Sequence, residues 1–401
     1  MKHLAFGSAA VLLLLASCRP GEPATPTGPP PAALPTPRVS PQYGLDDFER
    51  PAVRARSADF AGFARGINLG NGLDAPSIGA WGVVLSETHF DLAAEAGFDH
   101  VRLPVRFSAH ALATAPYKVE EDFFRHVDWA IREALERNLG VVVDFHHYGE
   151  LSEHPEQHAE RFVGIWEQIA KRYRDRPSSV VFELLNEPCQ QLDPGKWNEL
   201  LARAHAAVRK TNPDRFVLVD SYFWAASDYL RALRLPADPN VVATFHMYQP
   251  ILFTHQGAEW MDPEYSTVGV VFPGPPARPV VPTPEAEAVG WVREWFEKYN
   301  TAPLVSNPGG PATVFAHFRT VENYIEQTGR RVYLGEFAAI DNADPQSRAN
   351  YIRLVREEAE RHNIGWAYWD DGGRNQAMRV GAKSWVPFIR EALLPPPAAP
   401  D

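Results

Sequence analysis

Two glutamates of the 401-residue chain have the types and spacing for acid–base chemistry. Glu187 and Glu336 stand 149 residues apart, each near the end of a short apolar run. A carboxylate pair can cleave a glycosidic bond when one member protonates the leaving oxygen and the other attacks the anomeric carbon. Their pKa values must then be held apart by their surroundings. Arg102 beside one carboxylate, or a tyrosine hydroxyl, would keep it ionised.

Eight short apolar runs must position these glutamates, and amphipathic segments alternate with them. The predicted strands are Ala64–Leu69, His100–Pro104, Gly140–His146, Val180–Asn186, Phe216–Asp220, Val241–His246, Arg331–Glu336 and Gly365–Trp369. The predicted helices are Thr88–Ala96, Glu121–Arg137, Arg161–Tyr173, Trp197–Lys210, Pro284–Tyr299 and Gln346–His362. This alternation predicts an α/β fold, a (β/α)8 TIM barrel forming a single catalytic domain. An open doubly wound sheet is the alternative, but the first predicted strand lacks a GxGxxG turn.

Polar side chains lie at or near the carboxyl ends of six of the predicted strands. They are Arg102, His146 with His147, Asn186 with Glu187, His246 with Tyr248, Glu336, and Trp369. Each alone has a structural explanation, such as a buried histidine with its hydrogen bonds satisfied. Because active sites of such barrels lie at the carboxyl ends of the strands, the whole set predicts one site.

Two other chemistries compete for the same residues. His146, His147 and His246 could bind a metal ion, but the first strand carries no His-x-His ligand pair. Acyl transfer at a serine would need a Gly-x-Ser-x-Gly elbow, which the sequence lacks. We therefore predict no metal and no cofactor.

Several motifs together resemble the family 5 glycoside hydrolases, retaining cellulase-type enzymes built on (β/α)8 barrels. The strongest matches are LLNEP at 184–188 and GEF at 335–337. RGINLGN at 65–71, VRLP at 101–104, DFHHY at 144–148 and HMY at 246–248 also match. FTHQGAEW at 253–260 and WAYW at 366–369 resemble a subfamily of bacterial endoglucanases with side activity on mannans. The resemblance covers about residues 60–390.

The resemblance implies a role for each matched residue. Glu187 is expected to be the acid/base and Glu336 the nucleophile, with their carboxyl groups about 5–5.5 Å apart. Asn186 is expected to bind the sugar 2-hydroxyl, Arg102 and Tyr248 to hold Glu336, His246 to tune Glu187, and His146 to shape the site. Trp369 is expected to stack on the sugar, with a cis peptide following it. Weaker binding candidates are Asn71, Asp74, His147 and Trp224.

Two segments depart from the family pattern, both on the expected substrate side. Residues 370–376 form a short polar loop where relatives often carry a longer one. Residues 247–330 are long for a connection and contain one predicted helix and a Pro-rich piece at 273–284. These departures bear on substrate choice more than on reaction type.

Composition excludes several classes of protein. Hydrophobic residues make up 45% and charged residues 22%, as in a folded globular chain. The net charge of −11 argues against nucleic-acid binding, which needs a basic surface. With only Cys18 and Cys189, the chain has no disulfide framework and no multi-cysteine metal site.

The two ends of the chain are predicted to lie outside the fold. Residues 1–18 have the apolar core of a signal peptide and end in Leu-Ala-Ser-Cys, which resembles a lipobox with Cys18 as the lipidated residue. An ordinary export signal with an incidental Cys18 is the alternative. Residues 19–44 form a Pro-rich linker, 45–394 the catalytic domain, and 395–401 a disordered tail. We expect an exported bacterial lipoprotein at a membrane, cell surface or periplasm.

The predicted function is a retaining endo-β-1,4-glucanase that acts on a polysaccharide as a monomer. A preference for β-mannan, xyloglucan or mixed-linkage glucan with the same mechanism remains open. So does transglycosylation, which uses the same residues. A non-catalytic polysaccharide-binding barrel is the alternative from another class, although it would be expected to have lost one glutamate.

Overall fold

The computed structural model describes residues 41–395 of the chain. The predicted signal peptide, the lipidation of Cys18, nearly all of the linker and most of the tail lie outside these residues. Within them, eight parallel strands form a closed barrel in sequence order. The predicted (β/α)8 architecture is confirmed.

The barrel strands are short and buried. They are β1 (Arg65–Asn68), β2 (His100–Val105), β3 (Gly140–Phe145), β4 (Val180–Glu183), β5 (Val217–Asp220), β6 (Val241–His246), β7 (Val332–Glu336) and β8 (Gly365–Tyr368). Ile67 of β1 pairs with Val101 on one side and with Tyr368 on the other, which closes the barrel. A two-stranded antiparallel ribbon, β9 (Met378–Arg379) and β10 (Ser384–Trp385), follows β8.

Helices cover the outside of the barrel and occupy the longer connections. They are α1 (Glu87–Ala96), α2 (Glu121–Glu136), α3 (Gly149–Glu153), α4 (Pro155–Tyr173), α5 (Pro194–Arg209), α6 (Tyr222–Ala225), α7 (Ile251–Thr254), α8 (Pro284–Ala288), α9 (Gly290–Thr301), α10 (Pro311–Thr328), α11 (Pro345–Arg361) and α12 (Pro387–Leu393). Within residues 41–395, no helix combines the length and apolar character needed to cross a membrane.

The ends of the predicted strands agree with the structure to within three residues, whereas two predictions about helices were wrong. The single helix predicted over Pro284–Tyr299 is two helices, because Val289 adopts an extended backbone conformation between them. The segment 247–330 is also less irregular than predicted, since it contains α10. The buried residues of α10 include Val314, Phe318, Val321 and Ile325, which recur at helical spacing.

The barrel interior is layered, and the layers place the polar groups. A lower layer is apolar and contains Val142, Val181, Leu218 and Val242, one from each of four neighbouring strands. Side chains two residues apart on a strand point to the same face. The next inward positions are therefore Asp144, Glu183, Asp220 and Thr244, all fully buried. The same strands thus form an apolar base and a polar layer above it.

The base of the barrel is closed by the chain that precedes β1. Phe60 and Phe63 stack with ring centroids 4.6 Å apart and belong to the same buried cluster as the lower layer. Water is thereby kept from the interior on that side. The open end of the barrel, where β2, β4, β6 and β7 end, is left for the site.

Candidate active site

Glu336, the last residue of β7, is held by two side chains from other strands. Nη1 of Arg102 in β2 donates to Oε1 at 2.7 Å, and the hydroxyl of Tyr248, just past β6, donates to Oε2 at 2.9 Å. Only 4% of Glu336 is exposed. Burial raises the pKa of Glu336, whereas Arg102 and the Tyr248 hydrogen bond oppose that rise. Both contacts favour the ionised form that a nucleophile requires.

Arg102 is fully buried, and the polar layer holds it. Glu183 accepts from Nε and Nη2 at 2.8 and 2.6 Å, while Asn68 and Asn186 each accept at 2.8 Å. Burial lowers the pKa of Arg102, but nearby Asp144 and Glu183 raise it well above its ordinary value. The guanidinium therefore stays charged, and its planar fork fixes Asn186 and Glu336 relative to each other.

Glu187 faces the cleft from the loop after β4. Its backbone is left-handed, with φ of 50°, and its N–H donates to Oδ2 of Asp220 at 2.9 Å. One quarter of the side chain is exposed. Burial of the carboxyl group nevertheless raises the pKa of Glu187 to about 7. A carboxyl group with this pKa can carry a proton near neutral pH, as a general acid must.

His246 joins the two glutamates. Its Nδ1 lies 2.8 Å from Oε1 of Glu187 and 3.7 Å from Oε2 of Glu336. Burial lowers the pKa of His246 to about 4, so the ring is neutral at neutral pH. One oxygen of each glutamate and one ring nitrogen all lie within 4.8 Å of one another. Carboxyl groups this close fit a retaining mechanism, since an inverting enzyme separates them by about 6.5–9.5 Å.

His146 and Trp369 form an adjoining wall. Nδ1 of His146 lies 2.5 Å from Oδ2 of Asp144, which orients the ring. Trp369 packs nearly parallel to His146, with an interplanar angle of 7° and ring centroids 5.4 Å apart. The Trp369 ring is thus held in a fixed plane. A fixed aromatic plane suits packing against the CH face of a sugar.

The weaker binding candidates occupy different parts of the rim. Nε2 of His147 lies 4.0 Å from the buried Asp74, whose pKa burial raises to about 7. The Asn71 side chain donates to the backbone carbonyl of Asp371 at 2.9 Å, which ties two rim loops together. Trp224 lies in α6 and packs against Phe223, with ring centroids 4.6 Å apart.

Three groups of donors within residues 41–395 could in principle hold a metal ion. They are Asp74 with His146 and His147, Glu183 with Asp220 and His246, and Glu187 with His246 and Glu336. Hydrogen bonds already account for the placement of the central residues: His246 contacts Glu187, and His146 contacts Asp144. The Nδ1 atoms of both histidines are thus already paired with carboxylate oxygens.

Sequence reasoning missed the carboxylates below the two glutamates. Glu183 anchors Arg102, and Asp220 binds the backbone of Glu187. A signal was present, since each is the one charged residue of an otherwise apolar strand.

The expected cis peptide after Trp369 was wrong: the four cis bonds within residues 41–395 all precede proline. In the trans form, the Asp370 carbonyl accepts the N–H of Gly70 at 2.9 Å.

Known proteins are similar to this chain in sequence and in fold. Residues 64–375 match the family model for cellulase, glycosyl hydrolase family 5. Endoglucanase C of Acetivibrio thermocellus is 29% identical over 77% of this chain and 91% of its own length. Endoglucanase H of the same organism is 29% identical over 84% of this chain. The matched part spans only 32% of the length of endoglucanase H.

Solved structures agree with the sequence relatives. Endoglucanase Cel5A of Thermotoga maritima is 37% identical, with a TM-score of 0.71 over 83% of this chain and 97% of its own. The same protein, at 36% identity and a TM-score of 0.71, has been solved in complex with mannotriose and with cellobiose. The family match spans most of the barrel, including both glutamates, and the chain therefore belongs to the cellulase family, glycosyl hydrolase family 5.

Proposed function

We propose that the protein is a retaining endo-β-1,4-glucanase that works by double displacement. The observation that carries the proposal is the pairing of Glu187 and Glu336, whose oxygens lie within 4.8 Å in contrasting surroundings. Glu187 has a pKa of about 7, and no arginine among residues 41–395 donates a hydrogen bond to its carboxyl group, whereas Glu336 accepts from Arg102 and Tyr248. These surroundings assign the acid role to Glu187 and the nucleophile role to Glu336.

In the first step, Glu336 attacks the anomeric carbon while Glu187 protonates the departing glycosidic oxygen. The C–O bond to the leaving sugar breaks, and an ester bond to Glu336 forms. Arg102 holds the nucleophile in position before attack. Asn186, fixed by the same guanidinium, is placed to bind the 2-hydroxyl, a contact that strengthens in the transition state.

In the second step, Glu187 acts as a base. It removes a proton from a water molecule, which attacks the anomeric carbon and displaces the Glu336 carboxylate. The carboxyl proton of Glu187 is thereby restored. Because two displacements occur on opposite faces, the product keeps the β configuration.

The preferred backbone is proposed to be β-1,4-glucan. The relatives are named endoglucanases, and one of them has been solved with both cellobiose and mannotriose. We therefore expect measurable cleavage of β-mannan as a second activity. The intact glutamate pair argues against the alternative of a non-catalytic binding barrel.

The test is hydrolysis of carboxymethyl-cellulose, barley β-glucan, xyloglucan and glucomannan by the purified protein and by Glu336→Gln. We expect cleavage of β-glucan and carboxymethyl-cellulose that the variant loses, with β-anomeric product first in the proton NMR spectrum. A product formed first as the α anomer would refute the retaining mechanism. Binding without cleavage of any polymer would support the non-catalytic alternative.

We also propose that the protein is exported and anchored to a membrane by lipid at Cys18. The support is the sequence alone: an apolar run ending in Leu-Ala-Ser-Cys, followed by nine prolines in residues 20–41. Such a spacer would hold the barrel away from the membrane. Labelled palmitate should enter the wild-type protein in a bacterial host and not Cys18→Ala; equal labelling of both would refute lipidation there.

A further inference from the structure

Asp220 occupies an unusual place beneath the glutamate pair. It is the last residue of β5 and is fully buried. Its Oδ2 accepts the backbone N–H of Glu187 at 2.9 Å. The same oxygen lies 3.7 Å from Nε2 of His246, whose Nδ1 contacts the Glu187 carboxyl group. Asp220 thus faces both the backbone and the side-chain partner of one residue.

The contact to Glu187 is made at a strained point of the chain. Glu187 has φ of 50°, a conformation that non-glycine residues rarely adopt. In that conformation, Oε1 of its side chain lies 2.8 Å from Nδ1 of His246. A strained backbone persists only where surrounding groups hold it, and Oδ2 of Asp220 is the acceptor that holds the Glu187 N–H.

The second contact acts through the imidazole. Nε2 of His246 makes no hydrogen bond within the described residues, and Oδ1 of Asp220 likewise lacks one. The nearest carboxylate to that nitrogen is Asp220. Which ring nitrogen of a histidine carries the proton is set by the partner of the other nitrogen. Asp220, 3.7 Å away, is the carboxyl group that Nε2 of His246 faces, and no hydrogen bond joins the two.

We propose that Asp220 is a positioning residue for the acid/base Glu187, holding its backbone directly and its carboxyl group through His246. This proposal rests on the function proposed above. Asp220 is fully buried, which keeps its side chain out of reach of a sugar in the cleft. Its loss should weaken proton donation to the leaving group while leaving attack by Glu336 largely intact, because Arg102 and Tyr248 hold the nucleophile independently.

The experiment compares two substrates that differ in their need for a proton. Cellotetraose has a sugar leaving group that must be protonated, whereas 2,4-dinitrophenyl β-cellobioside releases a stable phenolate without help. The readout is kcat/KM, which covers only steps through the first irreversible one, cleavage of the leaving group. For Asp220→Ala we expect a loss of about 100-fold or more on cellotetraose and a much smaller loss on the dinitrophenyl substrate.

Two further variants separate positioning from general damage. Asp220→Asn keeps an oxygen that can accept the Glu187 N–H and should recover part of the loss on cellotetraose. Ser221→Ala removes a neighbouring buried hydroxyl that donates to the Ala226 carbonyl at 2.8 Å. This variant should change kcat/KM on the two substrates by the same factor. Thermal unfolding of each variant checks that it is folded at the assay temperature.

Equal losses on the two substrates for Asp220→Ala would overturn the proposal, because a structural defect impairs both displacements alike. Identical losses for Asp220→Asn and Asp220→Ala would overturn the hydrogen-bond role. A failure of the proposed function has a different signature, since the wild-type protein would then cleave neither substrate.

Discussion

Tyr248→Phe removes a single oxygen atom and should raise the pKa of the nucleophile. The hydroxyl donates to Oε2 of Glu336 at 2.9 Å and so stabilises the ionised carboxylate. A hydrogen bond to a charged group contributes about 1.5–3 kcal/mol. Since about 1.36 kcal/mol corresponds to one pKa unit, its loss should raise the Glu336 pKa by about 1–2 units.

The assay is the pH dependence of kcat/KM on a soluble β-glucan oligosaccharide. The nucleophile must be ionised, so its pKa sets the acidic limb of the profile, whereas the protonated acid sets the basic limb. In Tyr248→Phe the acidic limb should move to higher pH by about 1–2 units, and the basic limb should stay in place.

A matched control is Tyr299→Phe. The Tyr299 hydroxyl is also buried, but its hydrogen bonds go to the backbone N–H and carbonyl of Val271 rather than to a glutamate. This variant should keep both limbs of the pH profile in place. If Tyr248→Phe left the acidic limb unchanged, or moved only the basic limb, the assignment of this bond to the nucleophile would be refuted.

Three further outcomes follow from the same structure. With a Glu187 pKa of about 7, kcat/KM of the wild-type protein should fall about tenfold per pH unit above that value, as a pH profile will show. Arg102→Lys has three donors for five hydrogen bonds, so urea unfolding should show a free energy of unfolding lower by about 2–6 kcal/mol. Although burial raises the pKa of Glu322, hydrogen bonds from the Arg54 and Ala55 backbone and the Arg54 side chain lower it to about 2. Because the folded-state pKa is below the ordinary 4.5, stability should fall as pH drops from about 4.5 towards 2, and Glu322→Gln should flatten that slope in acid denaturation.

The fold was predictable because its signals are local. Most strands are short and largely apolar runs, as expected for strands buried on both faces, and the helices between them show helical spacing of apolar residues. The errors also have local causes. Val289 interrupts a helical pattern with an extended backbone, and α10 lies within a segment whose Pro-rich stretches favoured an irregular connection.

The residues of the candidate site could be predicted from the sequence, but the hydrogen bonds that connect them could not. The residue types at the strand ends, with Glu187 and Glu336 among them, point to one end of one barrel whatever the details of packing. Asp220 and Glu183 escaped notice because a buried charge in a strand has no meaning until its partner is known. Those partners lie 33 and 81 residues away along the chain.

The sequence by itself determined where the strands and helices lie along the chain and that two glutamates stand near strand ends. These depend on properties that each segment carries alone. Only the tertiary structure decided that Arg102 reaches Glu336 across 234 residues, that Glu187 adopts a left-handed backbone, and that its pKa rises to about 7. Contacts, burial and pKa values arise when the closed barrel brings distant strand ends into a space with little water.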